Sequence, residues 1–364
     1  MEVLRMKTRQ LTILLGTACL VLALIAPAFT TAWAQAPSPA KKDIKPIELS
    51  LALMMPPTHK RWTLSLAPWI EMLEERAGGK IKIVPYFAGA LAKGSEIYAA
   101  VSQGIADLGE VSTGHVAGRF RLTDFFLLPG LKIPDCVAAS RLHWHLTQTV
   151  PEFGAQYADT KIINAYAYGG TAFVIMSRAP IHTLKDLEGK KLNIYGGSIG
   201  IGIAKALGFT PIHINIPDVY LAVEKGVMDG VISGVNLITS RKFGEITKYV
   251  TSGPPLGGAP FIFIMNRDKW NALPTDVQKA FEEVGGMHGS EFFAKGMIKD
   301  VNEAREGGKK IFDCEFYELP PDELTKWMKR LDTVQEDWIE LMESKGLAAR
   351  KVMEEYKRFV QSPK

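Results

Sequence analysis

The stretch NIYGGSIGIGIAKALG, Asn193 to Gly208, sets five glycines and one serine at a turn from a strand into a helix. Three chemistries use such a turn. Tyr195–Gly202 is one residue away from the TGxxxGxG loop of short-chain dehydrogenases, whose glycines let backbone approach a pyrophosphate at a helix N-terminus. Gly196–Gly200 fits the GxSxG nucleophile elbow of α/β-hydrolases, with Ser198 as nucleophile. The third use is a turn that lines a binding pocket and does no chemistry. Ser198 is then an N-cap, and the unpaired N–H groups of the first helical turn face an anion.

The elements around this turn weigh against the first use. A dinucleotide fingerprint opens its domain, whereas here nearly half of the mature chain precedes the loop. The Tyr-x-x-x-Lys pair of the mature chain, Tyr157 to Lys161, lies upstream and so in the wrong order. The hydrolase keeps partners in the right order, with Asp229 or Asp268 followed by His288, and Tyr168-Gly169-Gly170 imitates an oxyanion-hole loop. A secreted serine hydrolase is therefore the competing reading.

The chain has 364 residues and a formal net charge of +4, of which Arg5, Lys7 and Arg9 against Glu2 contribute +2. Those cations precede an apolar run from Leu11 to Ala26, too short for the ~20 residues that span a bilayer. Ala32-Trp33-Ala34 then offers a signal-peptidase site, so residues 1–34 read as a cleaved secretory leader and the mature protein as exported. Near-neutrality without a basic stripe excludes nucleic acid as a partner. Cys136 and Cys314 survive cleavage, and the sequence leaves open whether they pair or stay as buried thiols. Neither has zinc-binding companions, and His143-x-His145 on a helix points its rings to different faces. No metal and no cofactor is expected.

After a Pro- and Ala-rich linker at 35–46, strands and helices alternate. Ile47 to Met55 and Lys80 to Tyr86 read as strands around a helix at Trp62 to Glu75. A helix at Ser95 to Gln103 leads to a strand at Ala106 to Val111, and the rhythm continues to Ile232. It predicts α/β layers with largely parallel sheets. After Met265 the chain turns helical over Pro274 to Val284, Ser290 to Lys309 and Asp322 to Val360, with one strand near Lys310 to Tyr317.

Five blocks then resemble the solute receptors of TRAP transporters, the DctP type. LEERAGGKIKI (Leu73–Ile83) is similar to their helix-to-strand turn, with Ala77 replacing the usual Thr. EIYAAVSQGIADLGEVSTG (Glu96–Gly114) and LKDLEGKKLNIYG (Leu184–Gly196) resemble the next helix, strand and loop. DVYLAVEKGVMDGV (Asp218–Val231) and NRDKWNALPTDVQKAFEEV (Asn266–Val284) complete the set, in the family's order. The resemblance implies an α/β, two-lobed periplasmic-binding-protein-like fold with crossing hinge strands and a long C-terminal helix. It places lobe I at 47–167 and 258–296, and lobe II at 168–257 and 297–364. It also implies a periplasmic receptor, monomeric or dimeric, that closes over a small organic acid. The closed form is handed to membrane-embedded TRAP permease subunits that move the solute with sodium, and no reaction is catalysed.

One departure shapes the expected ligand. The family's arginine in its K-i-R-v strand, which clamps a carboxylate, is Asn193 here, without charge or fork. After Asp229-Gly230 the family's Gln-Glu-Asn-Pro is replaced by Val231, Ile232, Ser233 and Gly234. The pocket is thus more apolar than that of a dicarboxylate receptor. Two ligands compete: an aromatic or other apolar monocarboxylate held by other donors, or a neutral polar molecule oriented by Asn193. Candidate donors are His59, Arg119, Gly170, Thr171 and the Ser198 helix end. Tyr168, Tyr195, Tyr220 and Phe261 are the candidate covering rings, with Ser233 and Asn236 beyond the Asp229 turn.

Overall fold

The computed structural model describes residues 45–361 except Ala117 and Asn215; the expected leader, its cleavage site and nearly all of the linker lie outside the described residues. Strands assemble into two sheets. The first holds β1 (Ile47–Ala52), β2 (Ile81–Tyr86), β3 (Leu108–Ser112), β4 (Thr160–Tyr168) and β10 (Ala259–Asn266), in the order β2-β1-β3-β10-β4. The second holds β5 (Phe173–Ser177), β6 (Lys191–Asn193), β7 (Thr210–Ile212), β8 (Gly230–Gly234), β9 (Tyr249–Ser252) and β11 (Glu315–Glu318), in the order β11-β9-β5-β8-β6-β7.

The expected parallel pairing holds for β1 with β2 and β3, for β6 with β7 and β8, and for β9 with β11. Two strands run against it. β10 is antiparallel to β3 and β4, and β5 is antiparallel to β8 and β9. Both enter directly from the other sheet, β5 from β4 and β10 from β9. A parallel neighbour needs a long return through a helix; a short crossing imposes no such direction.

The two crossings are packed too tightly for side chains at their glycines. Gly170 has φ 63°, and a Cβ there would stand 2.2 Å from the Pro134 carbonyl oxygen. A Cβ on Gly258 would stand 2.2 Å from that of Tyr168. Only glycine fits at these two positions.

Helices cover both sheets. They include α1 (Ala67–Arg76), α2 (Ile97–Ser102), α3 (Cys136–Thr149), α4 (Ser198–Leu207), α5 (Ile216–Glu224), α6 (Gly286–Ile311), α7 (Pro321–Glu343) and α8 (Ala349–Gln361). The alternation traced above does not include α3, although His143-x-His145 reads as lying on a helix; in the structure Ser140 and His143 interrupt its apolar stripe. Both are buried and bonded to β4: Ser140 Oγ accepts the Ala167 N–H at 3.0 Å, and His143 Nδ1 meets the Tyr166 oxygen at 3.1 Å, while His143 Nε2 is buried without a hydrogen-bond partner. The 26-residue α6 starts on α3 and β4, and its last turns pack Gly307 on Thr239 and Gly308 on Phe316 of β11. A turn at Gly346, φ 71°, separates α7 from α8 within the helical stretch expected at 322–360. α7 packs on α4, while α8 packs on α3, where the Tyr356 hydroxyl accepts the Lys132 N–H at 2.6 Å. Trp327 and Trp338 are buried in these helices, as their amphipathic pattern predicts. Cys136 and Cys314 are both free and buried, which settles the open question about their pairing.

Candidate functional site

Strands β1, β3 and β4 are parallel through the first sheet, so their C-terminal ends meet the start of β10 at one edge. The ends of β6 and β8 and the start of β5 face that edge from the second sheet. Open α/β sheets bind ligands outside their strand ends, and the side chains gathered here are unlike those elsewhere in the molecule.

On the first-sheet side a buried ion pair dominates. Arg61, 7% exposed, donates from Nε to Glu110 Oε1 at 2.6 Å and from Nη2 to Oε2 at 3.1 Å; Glu110 is fully buried in β3. The Tyr166 hydroxyl also donates to Glu110 Oε1. Burial alone would lower the Arg61 pKa, but the Glu110 charge and hydrogen bond outweigh it and raise it. The guanidinium carbon lies 4.3 Å from the Phe261 ring centroid, a cation–π contact that closes one face. Phe261 in turn stacks on Tyr166, with ring centroids 5.5 Å apart.

Two histidines flank the pair. His59 Nδ1 accepts the Arg61 backbone N–H at 3.1 Å. Burial, then the charges of Arg61 and Arg241, lower its pKa to about 3, so its ring is neutral at physiological pH. His115 keeps an exposed surface, yet desolvation by the surrounding protein and the Arg61 charge lower its pKa too.

Asp300, on α6, joins the crossing to the second sheet. Its Oδ2 accepts the Tyr168 hydroxyl at 3.2 Å. Burial raises its pKa to about 6, against the lowering effects of Tyr168, Arg61 and Asn236. Asn236, just past β8, lies close enough to lower that pKa, while Asp300 Oδ1 is buried without a hydrogen-bond partner.

The second-sheet side is apolar. Tyr195 leads it: its hydroxyl donates to the Gly258 oxygen, and its ring lies 5.8 Å from Phe173 and 6.4 Å from His115. Leu127, Ile194, Ile232 and Leu256 surround it, and the space left among them is about 10 Å³, room for no more than one water.

The structure brings His59, Tyr168, Tyr195, Asn236 and Phe261 of the expected set to this crevice. Gly170 and Thr171 form the short turn of the first crossing, where Gly170 lines a small recess beside Tyr168. Ser233 is nearly buried in β8, opposite Val174. Asn193 is buried with its amide committed to the Ile212 and Ile214 oxygens, at 3.1 and 3.0 Å. Three residues lie elsewhere. Arg119 is ion-paired with Asp159 and covers the Tyr98 ring at 4.7 Å. Tyr220 donates to Glu245 at 2.7 Å. Ser198 faces Asp337 and Trp338 of α7, and it is the first helical residue and not the cap, which is Gly197 with φ 55°.

Arg61, Glu110, His115, Tyr166 and Asp300 escaped the sequence reading. Two of them carried a signal. A carboxylate inside the apolar strand LGEVS demands a buried cation. Asp300 interrupts the buried stripe Phe293, Met297, Ala304 of α6.

A larger groove of about 410 Å³ opens at the far end of β4, among Trp144, Lys161, Arg267 and Trp270. Its cations are engaged: Arg267 donates to the Ala158 and Thr160 oxygens, and Lys161 sits 4.4 Å from the Trp270 ring centroid. Among the described residues no cluster of His, Cys, Asp or Glu has the makings of a metal site, and no helix is long and apolar enough to cross a membrane.

Known proteins share this fold. The family profile described as bacterial extracellular solute-binding protein, family 7 (DctP), matches residues 54–341. An uncharacterized protein of Salmonella typhimurium, YiiZ, is 26% identical over 257 residues, covering 68% of this chain and 75% of that one. The C4-dicarboxylate-binding periplasmic protein DctP of Rhodobacter capsulatus is 29% identical over 195 residues, covering 53% and 58%. A TRAP solute-binding protein of Rhodoferax ferrireducens, in complex with copurified benzoate, superposes with a TM-score of 0.79 at 23% identity, over 86% of this chain and 97% of that one. A Bordetella bronchiseptica counterpart with bound (R)- and (S)-mandelate gives 0.77 at 23% identity, over 87% and 99%. The two sheets are thus the two lobes of the TRAP periplasmic-binding fold. The chain belongs to family 7 of the bacterial extracellular solute-binding proteins, the DctP family, as a TRAP receptor and not an enzyme.

Proposed function

We propose that this receptor captures a small aromatic monocarboxylate in the crevice between its lobes and delivers it to the membrane-embedded permease subunits of a TRAP transporter. One observation carries the choice of ligand: the second-lobe wall is a patch of Tyr195, Phe173, Ile194, Ile232 and Leu256, met by Leu127 of the first lobe, without a charged group. Such a wall suits a flat apolar body, while polar groups in a ligand pocket are few and fix orientation. Benzoate and mandelate in the structural relatives are acids of that shape. The competing neutral ligand loses its orienting group, because the Asn193 amide is already committed to two carbonyls.

In this reading lobe I comprises 47–167 and 258–296, and lobe II 168–257 and 297–364. The leader is cleaved after Ala34 and the mature monomer works in the periplasm. The contracted crevice admits a ligand only when the lobes part, so ligand joins the open form and stabilises the closed one. Calorimetry on the purified chain with benzoate, mandelate and a neutral diol tests the assignment, together with mass spectrometry of any copurified molecule. Binding of the acids at micromolar concentrations and not of the diol is the expected result; no acid binding below millimolar overturns it.

A further inference from the structure

We infer that Arg61 is the residue that anchors the ligand's carboxylate, in the role left vacant by Asn193; this rests on the organic-acid reading above. A guanidinium has five N–H groups in a fixed plane. Glu110 occupies the edge formed by Nε and Nη2, while Nη1 has no hydrogen-bond partner among the described residues. The edge formed by Nη1 and the second Nη2 hydrogen therefore remains, and it has the spacing of a carboxylate.

The surroundings hold that edge in place. Phe261 covers one face of the guanidinium, Glu110 fixes its rotation, and the Tyr166 hydroxyl fixes Glu110. The pair sits at the C-terminal end of the first sheet, within electrostatic reach of His59 and His115 on the crevice. With Glu110, Arg61 and a bound carboxylate together, one negative charge is left over, and Arg241, whose charge reaches His59, offsets it. Of the other sequence candidates, Asn193 is engaged with two carbonyls and Arg119 with Asp159, while Ser198 faces α7 away from the crevice.

The site also sets specificity. A ligand fixed at Arg61 points its other end at the wall of Tyr195, Leu127 and Ile232, which holds no cation for a second carboxylate. The receptor thus takes monocarboxylates in preference to dicarboxylates with the same body, benzoate over phthalate.

Removing Arg61 alone leaves Glu110 buried and unpaired, so the test uses the double variant Arg61→Met with Glu110→Gln, which discharges both partners and keeps an acceptor for Tyr166. Calorimetry with benzoate compares it with the wild type, and a crystal of the wild type soaked in benzoate supplies a readout that needs no variant. A loss of affinity of about 100-fold in the double variant, with the carboxylate on Arg61 Nη1 in the crystal, is expected. Unchanged benzoate affinity in the double variant, or a carboxylate seated on another residue, overturns the assignment of Arg61 alone. A wild-type chain that binds none of benzoate, mandelate or 3-hydroxybenzoate overturns the organic-acid reading beneath it.

Discussion

On the first-lobe side of the crevice Arg61, Glu110, Tyr166 and Phe261 form a network in which Glu110 is held from two sides and only the Nη1 edge of Arg61 is left over. On the second-lobe side Tyr195 keeps the contact with one hydroxyl, and the rest is hydrocarbon. The difference separates two tasks. A buried charge network has one geometry and is expensive to half-dismantle, so it suits a fixed point of recognition. An apolar wall tolerates small changes of shape, so it suits a surface that must close over ligands of varied outline.

The severest way to break the contrast is Glu110→Ala, which leaves the Arg61 charge buried without its partner. We expect a loss of about 3–5 kcal/mol in urea unfolding; a loss below about 1 kcal/mol would mean that the network is not the rigid side. Asp300→Asn comes next. The folded state holds the Asp300 pKa at about 6, above its ordinary value, because the carboxyl is buried. Stability from this group is therefore complete below about pH 4 and is lost as pH rises through 6, by about 3 kcal/mol. The Asn variant should gain stability at pH 7 and flatten that slope. His59 works the other way: its lowered pKa makes its contribution complete above about pH 6.5 and lost as pH falls toward 3. A thermal-melting profile of His59→Gln between pH 7 and 4 isolates that second slope.

Tyr195→Phe removes only the hydroxyl across the crevice, worth about 0.5–1.5 kcal/mol. It should widen the average lobe separation seen by X-ray scattering without unfolding the chain. Smallest of all is Arg119→Ala. Its partner Asp159 is exposed, so less than about 1 kcal/mol is at stake, and benzoate affinity should not change. A large effect there would move the site away from the crevice.

Much of this was legible in residue patterns. The alternation of strands and helices, the late helical region and the five family blocks led to the fold. Asn193 stands where the family resemblance implies an arginine. Its burial against Ile212 and Ile214 was not readable, because strand alternation gives a side and not a depth. Arg61 was hidden because the sequence reads 56–61 as a loop, where a cation is usually solvated, whereas it sits at the N-cap of the helical stretch that starts at Trp62. What makes it special is Glu110, forty-nine residues on, and only the pairing of β3 with β1 and β10 brings them together. Ser198 misled for a related reason: its motif is local, whereas its neighbours on α7 come from the far end of the chain.

The helix α6 has a mechanical consequence. Its 26 residues make an unbroken rod of about 39 Å, fixed to the first lobe at its start and to the second at its end. Asp300 stands near its midpoint, tied to the crossing through Tyr168. A rod clamped at both ends can follow a swing of the lobes only by flexing between the clamps. The turn that carries Asp300 lies between the two clamps, so a buried carboxyl touches the crossing where the rod is least held.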